Sequence, residues 1–318
     1  PLRTENTAAF FNDKNLMIYL TNIDKEDTIA VINEAFESVC TTEPLDFPSF
    51  HSICRAIGSI QTAFTETEEI QFISNIIGGV LQLIESQTDV ESRASVAIGL
   101  IYICSQYTRF LNRYVDLLYS VMTKLIEFTT LSNEKLQDAS VLAMYTIAQT
   151  SQKALAFPNG EQSSFLDQAL ENFAPIFEPL TPHNTYQMYE VLGLIVQGTA
   201  GNESEISRYV GLLTAQPLQV IAEHISNPQP ADSDAFHNLY PSLRCLEKIC
   251  RFFGSTFIPI LADAAQGLTE LYLAYSAAGT EMINAGDVSS SNSIRAVKKS
   301  IIGIFCGTIS NLPYYESL

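Results

Sequence analysis

The sequence predicts an all-α protein built as a repeat array, a solenoid of stacked helix pairs. Three observations predict it. Apolar residues recur at helical spacing along almost the whole chain. No proline lies between Pro48 and Pro158, and that span carries only four glycines, Gly58, Gly78, Gly79 and Gly99. Strand signals are absent, because the one Asn159-Gly160 pair sits between helical stretches and lacks alternating flanks.

The periodicity places helices near 8–21, 24–40, 47–63, 66–86, 89–106, 109–130 and 133–153. Others follow near 162–178, 183–199, 203–225, 232–252, 255–284 and 291–311. Start signals support several of them. Thr65 precedes Glu68 at capping-box spacing. Ser132 precedes the helix that opens with Asn133-Glu134, while Thr181-Pro182 and Asp232 open two more. Gly198-Thr199-Ala200-Gly201 ends a helix, and polar breaks run from Asn159 to Ser164, Ser226 to Pro230 and Ser289 to Ser293. About thirteen helices, roughly six pairs, then repeat every ~40–50 residues, which is the period of HEAT-type solenoids. The expected organisation is one HEAT-repeat array over 1–318.

In such an array each helix is flanked on two sides, so its apolar arc must be wide. At 100° per residue, Ile73, Ile76, Val80 and Leu83 share one stripe of helix 66–86. Ile70, Ile77, Leu81 and Ile84 form a second. In helix 109–130, Leu118, Met122, Leu125 and Ile126 form one stripe. Leu117, Val121 and Phe128 form another, with Ser120 and Lys124 on its polar margin. The second stripes either pack neighbouring repeats or line an apolar slot suited to an amphipathic peptide.

Composition narrows the function classes. The chain has 318 residues and a net charge of −18, the opposite of a nucleic-acid-binding footprint. At 47% apolar it is not a disordered chain. No run of about 18 apolar residues occurs, so no membrane insertion is expected. The opening Pro1-Leu2-Arg3-Thr4-Glu5-Asn6 is not a signal peptide, and the absence of an initiator Met points to an excised fragment. The six cysteines, Cys40, Cys54, Cys104, Cys245, Cys250 and Cys306, read as buried reduced thiols. His51, His183, His224 and His237 are scattered, so neither a metal nor a cofactor is expected. P-loop, GxSxG, HExxH, CxxC and paired-carboxylate signatures are missing, and the chain reads as no enzyme.

An ordered set of short stretches carries a family resemblance. These are Ala56-Ile57-Gly58-Ser59-Ile60, Gln106-Tyr107-Thr108-Arg109-Phe110-Leu111 and Lys124-Leu125-Ile126-Glu127-Phe128. Gln137-Asp138, Ile147-Ala148-Gln149, Tyr189-Glu190 with Gly193, and Ile294-Arg295-Ala296-Val297-Lys298-Lys299 follow. Taken in order across almost the whole chain, they resemble the exportin family of nuclear export receptors, HEAT solenoids of the importin-β class. The chain is similar to a divergent central segment of such a receptor.

The resemblance implies a signal-binding groove within 66–130, between the outer helices of two adjacent repeats. Its positions fall on Ile77, Leu81, Ile84, Ala97, Ile101, Leu117, Ser120, Val121, Lys124, Glu127 and Phe128. Arg93 would flank it with positive charge, where a second flanking lysine position is Val90. A lysine at the place of Lys124 caps the narrow end in the family and hydrogen-bonds peptide carbonyls. The position that carries a lactone-reactive cysteine in the family is Ile84 here, and Cys104 is expected to point into the repeat core.

The implied partners are cargo proteins with leucine-rich export signals, Ran-GTP through the full-length receptor, and phenylalanine-glycine repeats of the nuclear pore. The implied location is shuttling between nucleus and cytoplasm. The alternative is a generic HEAT scaffold or an import-type karyopherin, with the second stripes used only for packing.

Overall fold

The computed structural model describes residues 7–131, 133–160, 162–228 and 233–310. Ser132 and Asp232, read above as helix starts, lie outside the described residues, as does the opening hexapeptide. Among the described residues the chain is helical throughout with no strand, and helix pairs stack as in a HEAT-type array. Among the described residues each of the thirteen expected segments is helical, and two of them are each divided in two, giving fifteen α-helices there. No helix among the described residues is long and apolar enough to cross a membrane. Contacts group the chain into two compact units that meet in sequence between Ser151 and Gln152.

The first unit holds α1 (Thr7–Ile23), α2 (Lys25–Thr41), α3 (Phe47–Ser59), α4 (Glu66–Ser86) and α5 (Val90–Gln106). It continues with α6 (Thr108–Arg113), α7 (Val115–Thr129) and most of α8 (Glu134–Ala156). Side-chain caps fix several starts. Asp24 accepts from the Asp27 N–H at 3.0 Å, and Asp89 accepts from the Ser92 N–H at 2.8 Å. At α4 the Glu68 carboxylate accepts from the Thr65 N–H at 2.8 Å and is held by Lys25 of α2, also at 2.8 Å. Helix α3 ends at Ser59, and a 3₁₀ turn over Gln61–Ala63 completes the segment expected as one helix to 63.

The stretch expected as one helix over 109–130 breaks at Tyr114, whose backbone leaves the helical region at φ −112°, ψ 77°. The break costs little, because the Tyr114 N–H still donates to the carbonyls of Phe110 at 3.2 Å and Leu111 at 3.1 Å. It lets Phe110 and Leu111 on α6, and Leu118 and Met122 on α7, all reach full burial.

Helix α3 packs closely on α5 through Gly99. A Cβ there would lie 2.5 Å from Cε1 of Phe50 and 2.9 Å from Sγ of Cys54, so only glycine admits this approach. The Gly78-Gly79 pair inside α4 divides in role. A Cβ on Gly79 would meet the Phe36 ring of α2 at 3.2 Å, whereas Gly78 has nothing within 4 Å.

The second unit holds α9 (Phe165–Glu171), α10 (Phe173–Phe177), α11 (Pro182–Gln197) and α12 (Glu203–Ser226). It ends with α13 (Ser233–Phe253), α14 (Ile258–Ala285) and α15 (Val288–Ile309). The segment expected over 162–178 is divided at Asn172 because of Pro175. In a continuous helix its ring would clash with the Glu171 carbonyl four residues back. The Asn159-Gly160 pair makes a tight turn, with an isolated antiparallel bridge between Asn159 and Gln162 and Gly160 at φ +62°. Helix α14 ends at Gly286, which adopts φ +77° and caps the Ile283 carbonyl.

All six cysteines are free. Five are buried or half-buried, but Cys306 is exposed, contrary to the expectation of buried thiols. It lies at the helical spacing of Arg295, Lys299 and Ile302, the outward face of α15.

Candidate peptide-binding groove

Helices α4, α5 and α7 enclose a largely apolar cavity of about 250 Å³ in the first unit. Helix α4 contributes Ile77, Leu81 and Glu85 at successive i, i+4 positions, so they share one face. Helix α7 contributes Leu117, Val121 and Leu125 at the same spacing, with Ser120, Lys124 and Phe128 beside them. Leu100 and Cys104 of α5 close the floor. The walls are firm, since Ile77, Leu100, Val121, Leu125 and Phe128 are buried. The rim is wetter: Leu81, Leu117 and Lys124 are half-buried and Ser120 and Glu85 exposed.

Polar contacts gather at one end. The Lys124 ammonium lies 2.7 Å from a Glu127 carboxylate oxygen and 3.7 Å from one of Glu85. It also sits 6.0 Å from the centre of the Phe128 ring, within cation–π range. The Ser120 hydroxyl donates to the Asp116 carbonyl at 2.9 Å, a bond within its own helix.

On the floor, burial pushes the Cys104 thiol up to about 12, so it stays protonated near neutral pH. In the first turn of α4, Glu69 is buried against Arg113, and desolvation raises its carboxyl despite that partner. The Tyr107 hydroxyl donates to the Ile57 carbonyl at 2.8 Å, tying the residue after α5 to α3.

Seven of the twelve residues expected at the groove meet around this cavity: Ile77, Leu81, Leu117, Ser120, Val121, Lys124 and Phe128. Five do not line it. Ile84, Ala97 and Ile101 are buried among the packed helices, with Ile84 1% exposed. Glu127 stands at the rim as the partner of Lys124. Arg93 sits half-buried in the first turn of α5, away from the lining. Cys104 is buried as expected, but its position at the floor was not foreseen. Glu85, Leu100 and Leu125 are further members that the sequence reading left out of the site. The first has a plain signal in its spacing, four residues after Leu81.

A family model described as CRM1 / Exportin repeat 3 matches residues 46–90, the stretch that forms α3 and the α4 wall. Exportin-1 of Schizosaccharomyces pombe is 28% identical over 324 residues, covering 98% of this chain. Protein EXPORTIN 1B of Arabidopsis thaliana is 25% identical over 95% of the chain, and exportin-1 of Drosophila melanogaster 24% over 95%.

The chain is a divergent relative of exportin-1.

It spans about 30% of the length of the S. pombe exportin-1, 29% of the Arabidopsis protein and 28% of the Drosophila one. Its likeness to exportin-1 extends over both compact units. The family-model match reaches the cavity only through α4, and α7 lies beyond it.

Proposed function

We propose that this chain is the part of a nuclear export receptor that receives leucine-rich export signals, in the cavity between α4, α5 and α7. The observation that carries the reading is the second apolar stripe. Ile77 and Leu81 on α4, and Leu117, Val121 and Phe128 on α7, turn toward a common cavity and not only toward neighbouring helices. An export signal offers four or five spaced apolar side chains, and burying each yields roughly 1.5–3 kcal/mol before the peptide's ordering costs. Those costs are large for a floppy peptide, so affinity is modest and readily switched.

The cavity volume of about 250 Å³ falls just below the usual range for drug-sized ligands. As it stands it takes one or two apolar side chains, and fuller occupancy requires α4 and α7 to separate. In the longer receptor this opening is coupled to Ran-GTP. Phenylalanine-glycine repeats of the pore and shuttling between nucleus and cytoplasm belong to the same reading, which involves no chemical catalysis.

Fluorescence anisotropy with a labelled leucine-rich peptide tests it. Micromolar or tighter binding that is lost in Val121→Asp supports the groove. A folded chain with no peptide affinity favours a HEAT scaffold whose stripes serve packing alone.

A further inference from the structure

The geometry points to a charge preference built into one end of this cavity, with Glu85 as its specificity-determining residue. The inference rests on the peptide-groove reading and adds to it the chemistry of the occupant's end residue. Around Lys124 stand two carboxylates, Glu127 at 2.7 Å and Glu85 at 3.7 Å. One ammonium between two carboxylates leaves a net negative charge.

The backbone adds to it. Glu85 lies in the last turn of α4, which ends at Ser86, and its contact with Lys124 places that turn five residues before the end of α7 at Thr129. Each helix C-terminus carries roughly half a negative elementary charge. A carboxylate in such a turn opposes the dipole and works against its own helix, so Glu85 is not explained by the stability of α4. Its side chain is 63% exposed, so it does not serve packing either. The end of the cavity is therefore electronegative although a lysine stands in it. Glu127 already takes one of the lysine's three donors, and an incoming carboxylate would meet two carboxylates beside it.

A peptide lying in this groove should thus carry a basic or neutral residue over the Lys124 end, and an acidic residue there should be penalised. Because the groups are near the surface, the preference is a matter of about threefold to fivefold at low salt. It fades as salt shortens the screening length.

The test uses the 318-residue chain and five labelled peptides. One is a neutral parent with spaced leucines. The other four place Lys or Asp at its N-terminal or C-terminal end. Anisotropy at low salt should show, at one of the two ends, the Lys peptide binding at least about threefold tighter than its Asp counterpart. That ratio should fall toward one in Glu85→Gln and at high salt, whatever change the variant makes to the parent peptide's own affinity. The overall acidity of the protein favours cations at both ends, so the loss in Glu85→Gln is the decisive result. If Glu85→Gln leaves the ratio intact while the parent still binds, the preference does not come from this residue, and the inference falls while the groove stands. If the neutral parent does not bind at all, the groove reading itself fails and this inference with it. Glu127→Gln, at an exposed position on α7, serves as the second variant with the same expected direction.

Discussion

Lys124 of α7 and Glu85 of α4 approach to 3.7 Å, an ion pair that joins the two walls of the cavity. Glu127 holds the same ammonium from within α7 at 2.7 Å. The Glu85 side chain is exposed and that of Lys124 half-buried, so the pair is expected to contribute little to folding. A double-mutant cycle of Lys124→Met and Glu85→Gln, read by urea unfolding, should return a coupling below about 1 kcal/mol. A larger value would mean that the pair is shielded from solvent and holds α4 to α7.

Leu117 and Phe128 line the same cavity but differ in burial, and their truncations should separate. Leu117 is half-buried at the rim, so Leu117→Ala should weaken peptide binding by about 1–3 kcal/mol with a smaller loss of stability. Phe128 is only 3% exposed, so Phe128→Ala should also cost about 3–5 kcal/mol of folding free energy. Thermal unfolding beside anisotropy distinguishes the two effects. Equal destabilisation by both variants would place Leu117 in the core.

Thiol reactivity should follow exposure and not proximity to the groove. Cys306 is exposed, whereas Cys104 is buried with its thiol pushed up to about 12. An unsaturated carbonyl reagent should therefore modify Cys306 first and leave Cys104 untouched in the folded chain. Ile84, buried and outside the lining, gives no access even as cysteine. Ser120→Cys, on the exposed rim, should react readily and be protected by bound peptide. Peptide mapping after intact-mass measurement checks each site, and early modification of Cys104 would show that the floor opens.

The start of α4 should respond to acid. The Lys25 side chain first, and the Thr65 hydroxyl and N–H next, pull the Glu68 carboxyl from its ordinary 4.5 down to about 2. A depressed folded-state value means the carboxylate stabilises the fold above the unfolded value and loses that contribution as pH falls through the folded one. The difference in urea midpoint between the parent and Glu68→Gln should be constant above about pH 5 and vanish near pH 2. A difference that does not change with pH would show that the capping bonds, not the charge, carry the effect.

Most of the helical layout was legible because periodicity and capping residues agree along the chain. Thr65 with Glu68, and Thr181 ahead of Pro182, mark helix starts that the structure reproduces. The division at Asn172 had a signal in Pro175, whereas the break at Tyr114 had none, since neither glycine nor proline marks it. It follows from the tertiary demand that residues on both sides reach the core.

The cavity was half legible for the same reason. Rotation at 100° per residue isolates Leu117, Val121 and Phe128 on α7 without reference to any neighbour. The floor residues Leu100 and Cys104 come from a third helix, whose placement no single-helix pattern encodes. Ile84 shares the second stripe of helix 66–86, and Ala97 and Ile101 were assigned through family likeness alone; all three are buried among the packed helices.

Gly99 precedes Leu100 by one residue and Cys104 by five on α5, the helix that closes the cavity from below. Phe50 and Cys54 fill the space where its side chain would begin. Any heavier residue acts as a wedge, lifting α5 off α3 and driving Leu100 and Cys104 toward the opposite walls. The depth available to a guest is thus gauged by a missing methyl group on the far side of the helix. Gly99→Ala would make the cavity shallower without altering one atom that lines it.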